Sequence, residues 1–314
     1  MTDSDRPNTA PRFAVIMPVH NHAAYVAEAI ASVRAQTVAD WELVVVDDGS
    51  TDGSDEAAAR AAAGDERITL LRQANAGPSA ARNAAIARSG AAWLTFLDSD
   101  DAWYDGALAA FADAIAARPD AAFHYGFRHR LNADGSVTEL PGEFQDRPTG
   151  PAELFGRMFL SHLCVCFRRD LIDRAGGYDE TLRTCEDYDL YLRMGLVARF
   201  WPIGQATGLR RRHGTNISRQ TGRSRFLEAE VLGRFADARG GRAVVGDAIV
   251  RPRLARLYYA AGRQYFRAGQ FRNAREALAE SARYGRSAKA IGLRCLAWLL
   301  RPAGHDESEP PRLA

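Results

Sequence analysis

The chain reads as an α/β protein, a mostly parallel sheet with helices on both faces, followed by a helical C-terminal extension. Three observations predict this. Short apolar runs alternate with helical patterns over residues 13–101. Those runs stop at polar or acidic residues, where an open parallel sheet offers its ligand crevice. Charge also segregates: Arg210 to Pro302 carries 20 Arg and one Lys against six acids, a net of +15, whereas Met1 to Leu209 carries a net of −11. Such a split points to different partners for the two parts.

The first run, Phe13 to Met17 (FAVIM), is stopped by Pro18, and Trp41 to Val46 (WELVVV) is stopped by Asp47-Asp48-Gly49-Ser50. Ile68 to Leu71 and Ala92 to Leu97 follow, the last stopped by Asp98. Runs of this length, bounded by turn formers and rich in Val and Ile, predict buried strands. Between them, Ala23 to Gln36 sets Val26, Ile30 and Val33 on one helical face. Ser54 to Ala63 is Ala-rich behind a Ser/Asp cap, and Ser79 to Ala87 opens with Pro78 and a capping serine. Strand–helix alternation implies right-handed crossovers and a covered sheet. The expected organisation is a disordered lead over 1–11 and an α/β domain over 12–220, with halves near 12–101 and 102–220. A basic helical region over 221–302 and a flexible tail over 303–314 follow. Within the basic region, Tyr258 to Gly285 predicts one helix–turn–helix unit with Gly269 at its turn, without a second copy at a fixed period.

Composition excludes several classes. An apolar content of 46 % and a charged content of 25 % are ordinary for a soluble globular protein. No run approaches the roughly 18 uninterrupted apolar residues of a spanning helix, and MTDSDRPNTAPR lacks the apolar core of a signal peptide, so a cytoplasmic location is expected. Cys164 and Cys166 sit in an alternating apolar stretch and predict packing, not a disulfide framework. After the first strand stands P-V-H-N, not a glycine-rich dinucleotide fingerprint, and no P-loop occurs. An EF-hand counted from Asp48 fails at its last position, Ala59. The basic region carries no recognisable nucleic-acid-binding module, so nucleic acid is not an expected partner.

Five segments together resemble glycosyltransferase family 2, inverting nucleotide-sugar enzymes of the GT-A fold: VIMPVHN (Val15 to Asn21), VVVDDGSTDGS (Val44 to Ser54), NAGPSAARNAAI (Asn75 to Ile86), FLDSDD (Phe96 to Asp101) and CEDYDLYLR (Cys185 to Arg193). The resemblance implies a donor-nucleotide site at Pro18, His20, Asn21, Asp47, Asp48, Arg82 and Asp98. Asp48 would accept from the base, since a carboxylate is a strong acceptor for an N–H, and Asp47 would orient the turn or the ribose. His20 would stack on the base. Asp98-Ser99-Asp100 matches the family's D-x-D metal motif, which implies Mn2+ or Mg2+ on Asp100, supported by Asp98. Asp101 is expected to cap the next helix. His213, in R-R-R-H, matches a segment near the donor phosphates and is a further metal or phosphate contact.

Inverting transfer needs one carboxylate to take the proton of the acceptor hydroxyl. The family's base maps to Asp187 at a helix start, with Glu186 the weaker candidate, and Leu190, Met194 and Val197 recur at helical spacing behind them. Gly176-Gly177 permits a tight turn or a close substrate approach. The implied partners are a nucleotide-sugar donor, a UDP-sugar foremost, and a glycan or lipid-linked acceptor of surface polysaccharide synthesis. The basic stretch 210–302 suggests peripheral contact with an anionic membrane face, or a helical cap that mediates a homodimer. Two rivals stand beside this reading: a sugar-phosphate nucleotidyltransferase, which usually needs a glycine-rich, lysine-bearing loop near the first strand, and a non-catalytic nucleotide- or sugar-binding protein of the same fold.

Overall fold

The computed structural model describes residues 11–141, 147–213, 221–285 and 288–299. The lead over 1–11 except its last residue, the segment 214–219 of RRRHGTNISR, Leu300 to Pro302 of the basic region and the tail over 303–314 lie outside the described residues. In chain order the chain forms β1 (Phe13–Val19), α1 (Val26–Arg34), β2 (Trp41–Asp48), α2 (Ser54–Ala62), β3 (Ile68–Gln73), α3 (Pro78–Arg88) and β4 (Trp93–Phe96). Next come β5 (Ala102–Trp103), α4 (Ala107–Ala117), β6 (Phe123–Leu131), β7 (Val137–Thr138), α5 (Pro151–Gly156), β8 (Val165–Arg168) and α6 (Asp170–Ala175). The remainder is α7 (Glu186–Gly195), β9 (Trp201–Arg211), α8 (Gly222–Ala238), α9 (Gly241–Val245), α10 (Asp247–Arg267), α11 (Phe271–Tyr284) and α12 (Ala288–Leu299).

These elements divide into two compact units. The first takes the described residues within Met1–Thr149, Phe159–Glu180 and Val197–His213 and contains the whole sheet, in the order β3-β2-β1-β4-β8-β6-β9-β5 with β7 beside β6. β1 pairs in parallel with β2 and β4, and β2 with β3, as the strand–helix alternation predicts. Beyond β4 the sheet is mixed: β8 runs antiparallel to β4 and β6, β6 parallel to β9, and β9 antiparallel to β5. The physical reason is connection type. A hairpin joins β6 to β7, whereas long segments carrying α5 and then α6 and α7 lead to β8 and β9, and these irregular connections do not repeat the single-helix parallel crossovers that α1, α2 and α3 provide. Six of the seven β1 residues are buried, the pattern of a strand covered on both faces. Phe13, Trp41, Phe96, Phe111 and Phe123 are fully enclosed, each adding roughly 1.5–3 kcal/mol through burial. Cys164 and Cys166 are buried free thiols, as their apolar setting predicts, and burial pushes the Cys164 thiol up to about 12.

Two helix starts differ from expectation. The caps of α2 and α3 are glycines, Gly53 (φ 86°) and Gly77 (φ 95°), not serines. Ser54 and Ser79 instead lie inside the first turns and are buried, Ser54 because its Oγ accepts from the His22 amide. Ser54 N–H in turn donates to Asp52 Oδ1 (3.1 Å).

The second unit comprises the described residues within Gly150–Met158, Thr181–Leu196 and Gly214–Ala314. The segments 150–158 and 181–196 thus group with the C-terminal helices. Tyr188 donates to the Leu154 carbonyl (2.7 Å), and Asp189, 1 % exposed, faces Arg193, Arg234 and Arg239. α7 stops at Gly195, so Val197, which the helical spacing had included, falls outside it. The helix–turn–helix unit forms from α10 and α11, with Gly269 at φ 74° in the turn. The crossing is close: a Cβ on Gly262 would lie 2.6 Å from Leu278 Cγ. Among the described residues no helix is long and apolar enough to cross a membrane.

Candidate active site

Parallel register sets Val19 opposite Asp47, so β1 and β2 bring Pro18 to Asn21 and Asp47 to Ser50 to the same sheet edge. Pro18 itself lies within β1 opposite Val46. Asp48 is 3 % exposed and uses both oxygens on the loop before α3. Oδ1 accepts from Gln73 Nε2 and the Ala76 amide, and Oδ2 from the Gly77 amide, each at 2.8 Å. Three of about four carboxylate acceptor positions are therefore filled by the chain itself. Asp47 Oδ1 accepts from the Ser50 amide (3.3 Å) and Oδ2 lies 3.4 Å from Arg72 Nε, so Asp47 holds the turn. Gly49 is required there: its φ is 71°, and a Cβ would stand 2.9 Å from the Asn75 amide nitrogen. His20 is exposed, with Nδ1 2.9 Å from the Asp48 carbonyl and the Asn75 amide group against its ring. Asn21 adopts φ 54°, donates its N–H to Ser50 Oγ and accepts from the Thr51 amide. Asn tolerates that left-handed conformation better than most residues.

At the end of β4 the four residues Asp98 to Asp101 have separate partners. Asp98 Oδ1 accepts from Arg82 (2.8 Å), whose guanidinium is 5.7 Å from the Tyr178 ring centroid. Desolvation is the largest influence on Asp98 and opposes its ionisation, but its basic neighbours together, the charge and hydrogen bond of Arg82 foremost with Arg210 behind, hold the carboxyl below the usual carboxylate range. Ser99 Oγ meets His22 Nδ1 at 2.8 Å. Asp100 Oδ2 lies 2.8 Å from His213 Nε2, both side chains being largely enclosed. Asp101 does not cap α4, which begins behind Gly106. Its Oδ1 accepts instead from the Arg211 amide of β9 (2.8 Å). Burial, and then the charges of Asp100 and Asp98, drive the Asp101 carboxyl well above its ordinary range.

The Asp100–His213 pair offers a carboxylate oxygen and an imidazole nitrogen, a mixed donor set that fits a divalent transition-metal ion better than an all-oxygen cation. Adjacent ligands of an octahedral ion with bonds of about 2.1 Å stand about 3 Å apart, which is close to the observed separation. Among the described residues no group of three His, Cys, Asp or Glu converges as a complete protein cage. Sites for such ions on nucleotides often take only one or two protein ligands, phosphate oxygens supplying the rest. Asp98, engaged with Arg82, stands apart from the pair as support.

Sequence reasoning overlooked the shell around His213. Tyr25 stacks on the His213 ring (centroids 4.9 Å), and the Arg211 guanidinium lies 5.2 Å from the Tyr25 centroid while pairing with Glu28 (2.6 Å). The signal was slight: His22, Tyr25 and Glu28 recur at i, i+3, i+6, but only Glu28 lies within α1, Tyr25 being its N-cap. His162 packs on Phe96 (4.5 Å), with burial and then Arg82 pushing its imidazole down to about 3, so it is a neutral core group.

In the second unit Glu186 opens α7 behind Cys185, which adopts φ 61°. Asp187 Oδ1 accepts from the Tyr188 amide (2.7 Å) and lines a cavity of about 430 Å3 together with Thr184, Cys185, Arg225, Glu228 and Arg253. In the first unit, Gly176 and Gly177 form the predicted turn with φ 83° and 74°, and Asn83 of α3 clasps it through the Tyr178 backbone and Glu180.

A mixed sheet of this topology, with acids and a histidine gathered at its strand ends, has the architecture of the GT-A fold. Residues 14–175 match the family described as Glycosyl transferase family 2. The chain belongs to that family. It is 37 % identical over 197 residues to the succinoglycan biosynthesis protein ExoU of Rhizobium meliloti, covering 57 % of this chain and 55 % of that protein. In fold it is similar to Staphylococcus aureus TarS 1–349 in complex with UDP-GlcNAc, with a TM-score of 0.69, 18 % identity and coverage of 92 % and 87 %. It is also similar to the mannosyltransferase PcManGT of Pyrobaculum calidifontis, in complex with GDP-Man and Mn2+, with a TM-score of 0.59, 20 % identity and coverage of 93 % and 81 %. The chain spans from 13 % to 55 % of the length of the curated relatives it matches.

Proposed function

We propose that the protein is a metal-dependent, inverting transferase that moves a sugar from a UDP-sugar to a hydroxyl of a glycan or lipid-linked acceptor in surface polysaccharide synthesis. The observation that carries this reading is the Asp100–His213 pair, 2.8 Å apart at the end of β4. The names of ExoU and TarS, with UDP-GlcNAc in the latter, support the donor and the pathway class. In this reading Asp100 and His213 hold Mn2+ or Mg2+, which when bound offsets charge on the diphosphate leaving group. Asp48 and its loop receive the base, with its remaining acceptor position directed to an N–H, while His20 offers a ring for stacking. Arg82 and Asp98 form the rigid floor beside the pair.

Asp187 takes the proton from the acceptor hydroxyl as that oxygen forms its bond to the anomeric carbon. The bond from that carbon to the diphosphate oxygen breaks in the same displacement, so the configuration inverts without a covalent sugar–enzyme species. Glu186 is the second candidate for the proton. Asp187→Asn is expected to lower transfer by about 10²–10⁴-fold, with UDP and Mn2+ binding unchanged by calorimetry. Full transfer by that variant removes the base assignment.

A second reading concerns location. Ile291, Leu296, Trp298 and Leu299 of α12 are 44–79 % exposed, beside Lys289 and Arg294. This supports peripheral contact with the anionic inner membrane face from the cytoplasm. Co-sedimentation with phosphatidylglycerol vesicles should fall several-fold in Trp298→Ser/Leu299→Ser. Undiminished co-sedimentation, or a dimer lost in its place, argues against the lipid contact.

A further inference from the structure

The cavity beside Asp187 has a charge character that the transfer reaction alone does not require. Four elements of the second unit build it: Arg157 follows α5, Asp187 comes from α7, Arg225 and Glu228 from α8, and Arg253 from α10. Three guanidinium groups thus face two carboxylates, and arginine stays charged at any physiological pH. Arg253 gives one N–H to Glu228 (2.7 Å), yet its Nε is buried with no hydrogen-bond partner among the described residues. A buried donor in that state normally has an acceptor from water or a ligand.

The basic character is local and does not merely reflect the composition of this unit. A second cavity of about 340 Å3 in the same unit, between α8, α10 and α11, is lined by Glu230, Asp237, Glu276 and Glu280 against Arg234 and Arg283. There the acids outnumber the arginines. The two cavities therefore carry surpluses of opposite sign, and the positive one is the one that Asp187 lines.

We propose that the cavity lined by Arg157, Arg225 and Arg253 receives an acidic group of the acceptor, a carboxylate or a phosphate ester near the attacking hydroxyl, and so selects anionic glycans. Guanidinium forks match both oxyanions with paired, charge-assisted hydrogen bonds. About 430 Å3 is within the range of a small-ligand site. Binding there brings the neighbouring hydroxyl to Asp187 and offsets the positive surplus. This inference rests on Asp187 being the base, but the cavity's preference for anions is measurable without any transfer.

The test uses the full chain with saturating UDP and Mg2+, so that the donor site is filled, and calorimetric or ligand-detected NMR titrations. The probes are methyl β-glucuronide, glycerol 1-phosphate and, as the neutral control, methyl β-glucoside. At least one anion should bind about tenfold more tightly than the glucoside, and exposed Arg157→Gln and, separately, Arg225→Gln should remove most of that preference. The anion that shows the arginine-dependent preference identifies carboxylate or phosphate as the natural group. Equal binding of all three probes, or a preference that survives both substitutions, overturns the proposal. Failure of the transferase reading would look different: no UDP binding, or full transfer by Asp187→Asn, with the anion preference intact.

Discussion

Asp48 at the end of β2 and Asp189 within α7 are both almost wholly buried carboxylates, 3 % and 1 % exposed, yet different chemistry holds them. Asp48 is gripped mainly by the main chain, through the amides of Ala76 and Gly77. Asp189 is gripped by the side chains of Arg193, Arg234 and Arg239. Further acids repeat the contrast, although Asp98 in the first unit is held by Arg82 and Asp187 in the second by a main-chain amide. Asp47 and Asp101 take amides from Ser50 and Arg211, whereas Glu228 and Asp237 take guanidinium groups from Arg253 and Arg242. Backbone amides carry no full charge and have no rotamers, so they fix an acid while leaving its charge available to a ligand. Arginines neutralise the acid and tie helices together. The first arrangement suits a binding edge and the second suits assembly.

Substitutions can break or sharpen this contrast. The largest effect is expected at Asp189→Ala, which leaves three arginines around an emptied buried site and should cost about 3–5 kcal/mol in urea denaturation. A loss below that for Asp48→Ala would show that the guanidinium cluster carries more structural weight. Asp48→Ala orphans two amides and one side-chain donor, for roughly 2–3 kcal/mol, and should abolish UDP binding while the helical unit stays folded. A stability loss without loss of UDP binding would reduce Asp48 to a loop anchor.

The smallest effect is expected at Asp101→Asn. Its Oδ1 can still accept from the Arg211 amide, and the substitution removes a charge that burial and its acidic neighbours disfavour. A change within about 0.5 kcal/mol is expected, against about 1–2 kcal/mol for Asp101→Ala. Equal losses for the two would mean that the charge, not the acceptor atom, holds β9.

Much of the donor half was legible because its information is local. WELVVV followed by D-D-G-S states a buried strand and then a turn within a dozen residues, and parallel register aligns such ends without further instruction. The boundaries slipped where glycine took the cap, since a serine inside the first turn looks the same in sequence as one at the cap. Asp101 was misjudged because its partner is 110 residues away and is a main-chain amide, which no residue type reports. The mixed part of the sheet was hidden likewise, as strand direction there depends on connections instead of residue pattern. His213 was recognisable only through family resemblance, and Tyr25 and Glu28 behind it only through helical spacing. The arginine partners of Asp189 come from α7, α8 and the residue after α8, a convergence that no single segment announces.

The tie from Asp101 to β9 has a consequence for how such a site can change over time. Because Asp101 holds the amide of Arg211 and not the ring of His213, the chain arrives beside Asp100 whatever residue stands two positions later. Position 213 is therefore an address whose occupant can be exchanged. In the proposed metal site, a change of one codon there would alter which ion is preferred while leaving the strand in place, so metal preference would drift without refolding.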